Sequence, residues 1–223
     1  TQGVSSAASD VYKRQQQDTP LLRRFLELLG IGTDRLVDLS KVRHVLCENL
    51  FACSYQSGPG HYHPEYISWL RTRGLTRPRN GETKTPRKII FLSRQHADSR
   101  RLVNENQVIE AFGTESIQLV SLEKHSLDQQ LDFFLKAEGV VAPHGAGLSH
   151  LIWAQPNLPV LELFPSDFFN ACYWELASVV GALYGCAAGE STKKGNVSNR
   201  DFFVPPKLVC EVFAQIKRVS DLF

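Results

Sequence analysis

The sequence predicts an α/β fold in which helices cover both faces of a parallel sheet. Beyond residue 87, short apolar runs alternate with amphipathic segments of helical period. The apolar runs are continuous, as in strands that are buried on both faces, and they do not show the alternation of half-exposed strands. One run, Gly139-Val140-Val141-Ala142, leads directly into Pro143-His144-Gly145-Ala146-Gly147, a turn typical of a strand-to-helix connection.

Four strands and five helices are predicted after residue 87. The strands are residues 88–92, 117–120, 140–142 and 159–163, and the helices are residues 104–112, 126–137, 148–154, 170–183 and 207–219. Ser126 and Gln129 have the spacing of a capping box. The last helix has an apolar stripe formed by Val209, Val212, Phe213, Ile216 and Val219.

The part of the chain before residue 88 is less regular. Residues 20–29 have helical spacing and end at Gly30, residues 36–39 and 42–46 are predicted strands, and a short helix is expected around residues 66–70. Residues 76–87 are polar, include two prolines and are interpreted as a linker.

Four segments follow from this division. Residues 1–14 are a disordered or non-native tail, because they are small and polar and have no hydrophobic period. Residues 15–75 are too few for a second α/β domain of about 100 residues or more and are expected to be the remnant of an N-terminal domain. Residues 88–223, after the linker, form the principal domain. We therefore expect the chain to be part of a longer protein.

Composition excludes several classes. A net charge of +2 in 223 residues is too small to indicate a nucleic-acid binder, and the chain has no apolar run long enough to cross a bilayer. Five cysteines without a CxxC pair indicate reduced thiols rather than a zinc site or a disulfide framework. We therefore expect a cytoplasmic protein, peripheral to a membrane at most. The sequon Asn196-Val197-Ser198 leaves the lumen of the Golgi or endoplasmic reticulum as the alternative.

The glycine turn predicts a phosphate site. The first amides of a helix have no intrahelical partner, the helix dipole adds positive charge, and glycines allow an anion to approach the backbone. The amides of Gly145, Ala146, Gly147 and Leu148 are therefore candidate ligands. His144 adds a side chain that can donate a hydrogen bond, although a half-buried structural histidine is the alternative.

A second candidate element follows the first strand. Three arginines lie within the eight residues that begin at Arg94 and end at Arg101, and Asn104 can cap the next helix. Arginine suits phosphate oxygens, although such a loop can also be a solvated surface loop. Glu162, at the end of the fourth strand, is interpreted either as a ribose ligand or as a buried structural acid. The ends of parallel strands meet at one sheet edge, so we expect these groups to lie together.

These residues resemble glycosyltransferase family 61 (GT61, DUF563). The family pattern has a Ser-Arg pair after a strand, an arginine shortly before Asn-Glu, an apolar-His-Gly-Ala-Gly-Leu segment, and an apolar-Glu-Leu strand. The matching segments here are Leu92-Ser93-Arg94, Arg101-Leu102-Val103-Asn104-Glu105, Ala142 to Leu148, and Val160-Leu161-Glu162-Leu163. The family glutamine corresponds to Gln129 or Gln130. His150 is a departure, because members often have asparagine there. The resemblance is strong over residues 85–190 and weak over 20–55.

The resemblance implies a GT-B enzyme with two Rossmann-like domains, of which this chain is mainly the C-terminal, donor-binding half. It implies transfer of a sugar from a nucleotide-sugar donor, which we expect to be UDP-linked, to a glycan or glycoprotein acceptor. The transfer would invert the configuration at the anomeric carbon and would need no metal or other cofactor. Arg94, Arg101, His144 and the turn amides would bind the diphosphate, Glu162 the ribose, and Asn104 and Glu105 would organise the arginine loop or contact the sugar. No catalytic base is assigned, and the chain alone is expected to be inactive.

Other classes fit less well. A dehydrogenase would need GxGxxG after its first strand, where Ser93-Arg94-Gln95 stands, and an α/β-hydrolase would need a GxSxG elbow, which the sequence lacks. A non-catalytic Rossmann-like module that only binds nucleotide remains the alternative.

Overall fold

The computed structural model describes residues 19–32, 34, 44, 46, 48–49, 61–75, 87–192 and 199–222. The chain divides into two compact units, Thr1–Gln56 and Ser57–Phe223. The predicted strand 36–39, most of the predicted strand 42–46 and most of the predicted linker lie outside the described residues. The division of the chain into domains therefore stays a prediction.

The second unit contains a six-stranded sheet of order β2-β1-β3-β4-β5-β6. The first five strands are parallel, and β6 is antiparallel to β5. The strands are β1 Ile89–Leu92, β2 Ile117–Val120, β3 Gly139–Pro143, β4 Pro159–Pro165, β5 Leu183–Ser191 and β6 Phe202–Phe203. Strands β1, β3 and β4 are buried at every position, as their uninterrupted apolar sequences predict. The expected α/β class with a mostly parallel sheet is confirmed.

Helices connect the strands. In the described residues they are α1 Pro20–Leu28, α2 Pro64–Leu75, α3 Glu105–Phe112, α4 Leu127–Lys136, α5 Cys172–Val180 and α6 Pro206–Ser220, with a 3₁₀ helix at Ala146–Trp153. Helix α3 packs on α6, whereas α4 and α5 both pack on the 3₁₀ helix. The connection through α3 runs outward from β1 and the connection through α4 runs back past it. Right-handed crossovers therefore place these two helices on opposite faces of the sheet.

The sheet reverses its order between β1 and β3. The chain leaves β1 toward β2 on one side, and β3 lies on the other side of β1. At such a switch point the loops after the two strands diverge and leave a crevice at the carboxyl ends. Ser93 and Arg94 follow β1, and His144 and Gly145 follow β3. The topology therefore brings the arginine loop and the glycine turn to the same crevice.

Several predicted elements have the expected local chemistry. Thr19 caps α1 by accepting a hydrogen bond from Leu22 N at 3.2 Å, and Gly30 follows the helix with φ 80°. Ser126 and Gln129 form the predicted capping box of α4.

Strand β5 was not predicted, because its sequence is rich in small residues. The small residues are required by packing. A Cβ on Gly185 would lie 2.6 Å from Ile216 Cδ1 of α6, and a Cβ on Gly189 would overlap the carbonyl oxygen of Phe203. Residues 183–191 therefore lack the β-branched signal of a strand because close neighbours exclude larger side chains.

Two further predictions need correction. Residues 146–153 form a 3₁₀ helix, so the helix predicted over residues 148–154 begins two residues earlier and ends one residue earlier. Val219 is 45% exposed, so the apolar stripe of α6 ends before it, while Val209 and Phe213 are buried in the core. Within the described residues, no helix is both long and apolar enough to cross a bilayer.

Helix α2 packs against α5 and the 3₁₀ helix within the second unit. Arg71 donates hydrogen bonds to Ile152 O at 2.5 Å and Ala154 O at 2.9 Å, and Gly74 lies against the ring of Trp153. Helix α2 is therefore packed within the same unit as the sheet.

Candidate functional site

The candidate site is a cleft of about 270 Å³ at the carboxyl ends of β1 and β3. Its walls come from the loop after β1, the loop after β2 and the glycine turn. Leu92, Leu122 and Leu148 form an apolar floor, and Arg94, Glu123 and Gly145 add polar groups. An apolar cleft with a few convergent polar groups at a switch point is typical of a ligand site.

The glycine turn presents backbone amides to this cleft region. Leu148 N donates to Gly145 O at 3.0 Å, which is the first hydrogen bond of the 3₁₀ helix. The amides of Gly145, Ala146 and Gly147 precede this bond, so the helix itself does not use them. The expectation that Leu148 N also binds phosphate needs correction, because a 3₁₀ turn closes one residue earlier than an α-helix and engages this amide.

The arginine after β1 lies on the glycine turn. A Cβ on Gly145 would overlap Nη1 of Arg94, so the guanidinium occupies the space that a side chain at residue 145 would need. Nη2 of Arg94 donates to Ser99 O at 2.9 Å, whereas its buried Nε has no hydrogen-bond partner within the described part of the chain. Burial lowers the pKa of Arg94, and nearby Arg100 lowers it further. A buried guanidinium with an unused donor is suited to an anion.

The other arginine named from the sequence has a different environment. Arg101 donates to the carboxylate of Asp201 from its backbone N at 2.8 Å, from Nε at 3.0 Å and from Nη2 at 2.6 Å. Its side chain therefore ties the arginine loop to the segment before β6. The structure does not bring it to Arg94.

Arg100 is the second arginine beside Arg94. Its guanidinium lies 5.8 Å from the centre of the Phe168 ring, and that ring lies 5.4 Å from the ring of His144. Arg100 also has φ 55°, a left-handed conformation that is uncommon for residues other than glycine. This backbone conformation directs the consecutive side chains of Arg100 and Arg101 to different partners.

Glu105, the first residue of α3, is hydrogen-bonded to the loop that follows β1. Ser93 Oγ donates to Glu105 Oε1 at 2.9 Å, and the other oxygen, Oε2, is buried with no hydrogen-bond partner among the described residues. Burial raises the pKa of Glu105, and the hydrogen bond from Ser93 opposes this shift. Of the two roles expected for Glu105, the geometry matches organisation of the loop.

Asn104 does not cap α3 through its side chain, contrary to expectation. Its Nδ2 donates to Val204 O at 2.9 Å, and its Oδ1 accepts from Val204 N at 3.3 Å. A side-chain amide can bond both the backbone N–H and the backbone C=O of one residue in this way, which an N-cap interaction cannot do. Asn104 therefore joins the arginine loop to the chain beyond β6.

The histidine of the turn is paired with the acid of β4. His144 Nδ1 and Glu162 Oε1 lie 2.5 Å apart, and the hydroxyl of Tyr184 on β5 donates to Glu162 Oε2 at 2.5 Å. His144 is 7% exposed and Glu162 is fully buried. Both oxygens of Glu162 are thus bonded inside the protein, and the expected ribose contact does not match this geometry. The adjacent parallel strands β3, β4 and β5 bring these three residues together.

The glutamines and histidines of the sequence analysis have separate roles. Gln129 forms the capping box, whereas buried Gln130 donates to Leu122 O and His125 O, both at 2.9 Å, and so holds the loop that lines the cleft. Burial lowers the pKa of His150 to about 4. His61 precedes α2, and its Nδ1 lies 2.8 Å from Glu175 Oε2.

The described part of the chain contains free cysteines and no arrangement of side chains that could hold a metal ion. Cys172, Cys186 and Cys210 are free thiols, whereas Cys47 and Cys53 lie outside the described residues. Across the described ranges, no group of three or more His, Cys, Asp or Glu side chains is arranged to hold a metal ion.

The sequence analysis counted Arg100 in the arginine loop without assigning it a ligand role, and it missed Tyr184 and the role of Gln130 as the loop support. Arg100 could have been found as the immediate neighbour of Arg101 in the same loop. Tyr184 had no signal, because its role depends on the unpredicted strand β5 lying beside β4.

Comparisons with known proteins agree with the resemblance drawn from the motifs. The model of the Glycosyltransferase 61 family matches residues 12–161. This match includes the arginine loop and the glycine turn, ends one residue before Glu162, and includes the last three residues of the predicted tail.

Two relatives carry the same description, EGF domain-specific O-linked N-acetylglucosamine transferase. The protein from Drosophila melanogaster is 31% identical over 100 residues, which are 44% of this chain and 19% of that protein. The protein from Gallus gallus is 26% identical over 153 residues, 66% of this chain and 28% of that protein. The chain thus spans less than a third of each relative. Because the family model covers more than half of its residues, this chain belongs to the Glycosyltransferase 61 family.

Proposed function

We propose that this chain is the donor-binding part of an inverting glycosyltransferase and that its cleft binds a nucleoside diphosphate sugar. One observation carries the proposal. The buried guanidinium of Arg94, with an unused Nε, lies on the backbone of Gly145 beside the turn amides. Guanidinium and backbone N–H groups that converge at a helix start form a typical diphosphate site.

The donor is proposed to be UDP-linked, with UDP-N-acetylglucosamine as the first candidate. Both relatives are named for transfer of O-linked N-acetylglucosamine to EGF domains. These names support a glycoprotein acceptor for the whole protein. The identities of 31% and 26% cover part of the chain, and the donor sugar and the acceptor are both proposals.

The proposed architecture is GT-B, in which a second Rossmann-like domain faces this sheet across a cleft. The relatives are three to five times longer than their matched segments, which leaves ample chain for an acceptor-binding domain. The base that deprotonates the acceptor is expected from that domain. We therefore expect this chain alone to bind donor without transferring sugar, because loss of acceptor positioning removes many kcal/mol of catalysis.

The proposed chemistry is stabilisation of the leaving group. As the acceptor oxygen bonds to the anomeric carbon, the bond to the diphosphate breaks and negative charge develops on its oxygens. Arg94, Arg100 and the amides of Gly145 to Gly147 would stabilise this charge, with His144 beside them. In this proposal the positive charge comes from side chains and amides, so a divalent cation is not required.

Calorimetric titration of the chain with UDP tests the proposal. We expect Arg94→Ala and His144→Ala each to weaken UDP binding by about 1–3 kcal/mol, as for the loss of a charge-assisted hydrogen bond. Arg218→Ala is the matched control, since Arg218 is exposed near the end of α6. Equal UDP affinity in all four proteins would exclude the assignment.

The alternative is a nucleotide-binding module without catalysis. It predicts the same UDP binding. A transfer assay on the longer protein with UDP-N-acetylglucosamine separates the two, because only the enzyme releases UDP in proportion to glycosylated acceptor.

A further inference from the structure

Residues on or next to three neighbouring strands are joined by hydrogen bonds that no part of the proposed reaction explains. His144 follows β3, Glu162 lies on β4 and Tyr184 lies on β5. The carboxylate accepts from Tyr184 through Oε2 and contacts His144 Nδ1 through Oε1, each at 2.5 Å. Glu162 is fully buried, so these two residues are its neighbours in place of water.

The proton positions follow from the partners. A carboxylate only accepts hydrogen bonds, so the proton between Glu162 and His144 belongs to Nδ1 of the ring. Burial and then the charge of Glu162 raise the pKa of Tyr184, which keeps its hydroxyl a donor. Both hydrogen bonds therefore point toward Glu162. A second proton on the imidazole can then lie only on Nε2.

The ring of His144 is also held in place by aromatic neighbours. Phe164 stacks on it with centroids 5.2 Å apart, and Phe168 and Tyr173 each lie 5.4 Å away. A flip of the ring about χ2 would put a carbon, Cδ2, in the place of Nδ1 and break the contact with Glu162. The packing and the hydrogen bond thus favour the same orientation.

We propose that Glu162 and Tyr184 are positioning residues that hold His144 with one proton on Nδ1, so that a second proton on Nε2 is the one that the ring donates to the donor diphosphate. This inference rests on the proposed function. In it, Glu162 contributes to donor binding through His144 and does not touch the ribose. Tyr184 satisfies the second oxygen of Glu162, which would otherwise be a buried acceptor without a partner.

Nitrogen-15 NMR of the histidines tests the positioning of His144 by Glu162 without any ligand. Long-range couplings between ring nitrogens and carbon-bound protons distinguish the two tautomers. In the free protein we expect His144 to carry its proton on Nδ1, and we expect Glu162→Gln to shift the population toward Nε2–H, because an amide no longer requires a donor at Nδ1. His144→Ala assigns the signals. A free wild-type ring with its proton on Nε2 alone would overturn the proposal.

A double-mutant cycle with UDP as the probe separates positioning from a structural role. UDP is expected to bind the form of His144 that carries protons on both nitrogens, because Nε2–H then donates to the diphosphate while Nδ1–H donates to the carboxylate of Glu162. Glu162→Gln removes the negative charge that favours this form, so it should weaken UDP binding about tenfold, and Tyr184→Phe should weaken it about threefold. In a His144→Ala background both changes should leave UDP affinity within about twofold, because they act through the missing ring. Tyr66→Phe, on an exposed tyrosine of α2, is the control. Equal losses with and without His144 would show a structural role.

These two measurements also separate this proposal from the proposed function. If the wild-type protein binds no UDP, the donor assignment fails. The positioning of His144 still stands if its ring has the Nδ1–H tautomer and Glu162→Gln changes that tautomer. If UDP binds and the losses of affinity from the two substitutions are the same with and without His144, the donor assignment stands and the positioning of His144 by Glu162 fails. Circular dichroism and the melting temperature of each variant verify that the fold is intact.

Discussion

The guanidinium of Arg94 occupies the space where residue 145 would carry a side chain. Glycine at position 145 therefore serves the packing of an arginine. The backbone of Gly145 is extended, with φ 171° and ψ 168°, so the glycine is not required for a left-handed conformation. The sequence predicted that this glycine allows an anion to come close to the backbone. In the structure it also allows Arg94, the side chain proposed to bind that anion, to come close.

The contact between Arg94 and Gly145 predicts the effect of a single methyl group. Gly145→Ala should displace the guanidinium and weaken UDP binding about tenfold, because a charge-assisted contact is lost. Folding should change little, since the arginine lies at the end of a flexible side chain. Calorimetry and thermal unfolding measure the two effects. Arg218→Ala, an exposed residue near the end of α6, is again the control. Unchanged UDP affinity in Gly145→Ala would contradict this placement of the ligand.

Arg100 and Arg101 are consecutive and predict opposite outcomes. Arg100→Ala should weaken UDP binding about tenfold, because Arg100 lies beside Arg94 and Phe168. Arg101→Ala should change UDP affinity by no more than about twofold, because its exposed side chain is bonded to Asp201. Titration of both variants at one ionic strength tests this order. The reverse order would restore the role that the sequence indicated for Arg101.

Metal independence is a separate prediction. If arginines and amides neutralise the diphosphate, UDP affinity should be the same in EDTA and in excess Mn²⁺. The calorimetric titrations of wild-type chain in the two solutions provide the comparison. Binding that is lost in EDTA and restored by Mn²⁺ would show that a cation takes part.

His150 predicts a pH dependence of stability. Burial lowers its pKa to about 4, against about 6.5 in an unfolded chain. The unfolded state therefore takes up the proton first as the pH falls. The stabilisation is complete above pH 6.5 and is lost between about pH 6.5 and pH 4, by about 2 kcal/mol, after allowing for the partly exposed ring.

Urea unfolding at several pH values tests this effect. His150→Asn, the residue common in the family at this position, removes the titrating ring and should flatten the pH dependence in that interval. The neighbouring ring of Phe134, with its centroid 5.5 Å from that of His150, is retained in both proteins. Parallel stability curves for the wild type and the variant would assign the pH dependence to other groups.

Gly189 tests the packing of the unpredicted strand. A Cβ there would overlap the backbone oxygen of Phe203, which belongs to the paired strand β6. Gly189→Ala should lower the free energy of unfolding by about 1–3 kcal/mol, because backbone must move to admit the methyl group. Ala188→Ser, one residue earlier and exposed, should have little effect. Equal denaturation midpoints for the two variants would contradict the pairing.

The sequence by itself determined the alternation of strands and helices, the capping box of α4 and the location of the glycine turn after β3. These features depend on hydrophobic period, capping chemistry and glycine content, all of which act over a few residues. The family followed from the same local segments, because the motifs around Arg94 and His144 are contiguous.

Tertiary structure decided which side chains complete the candidate site. Arg101 turns away because Asp201, 100 residues further along the chain, binds it. Glu162 is enclosed because neighbouring strands bring His144 and Tyr184 to its two oxygens, and β5 itself is defined by packing against α6 rather than by strand-forming residues. Such contacts depend on the order of strands in the sheet, which local sequence patterns do not specify.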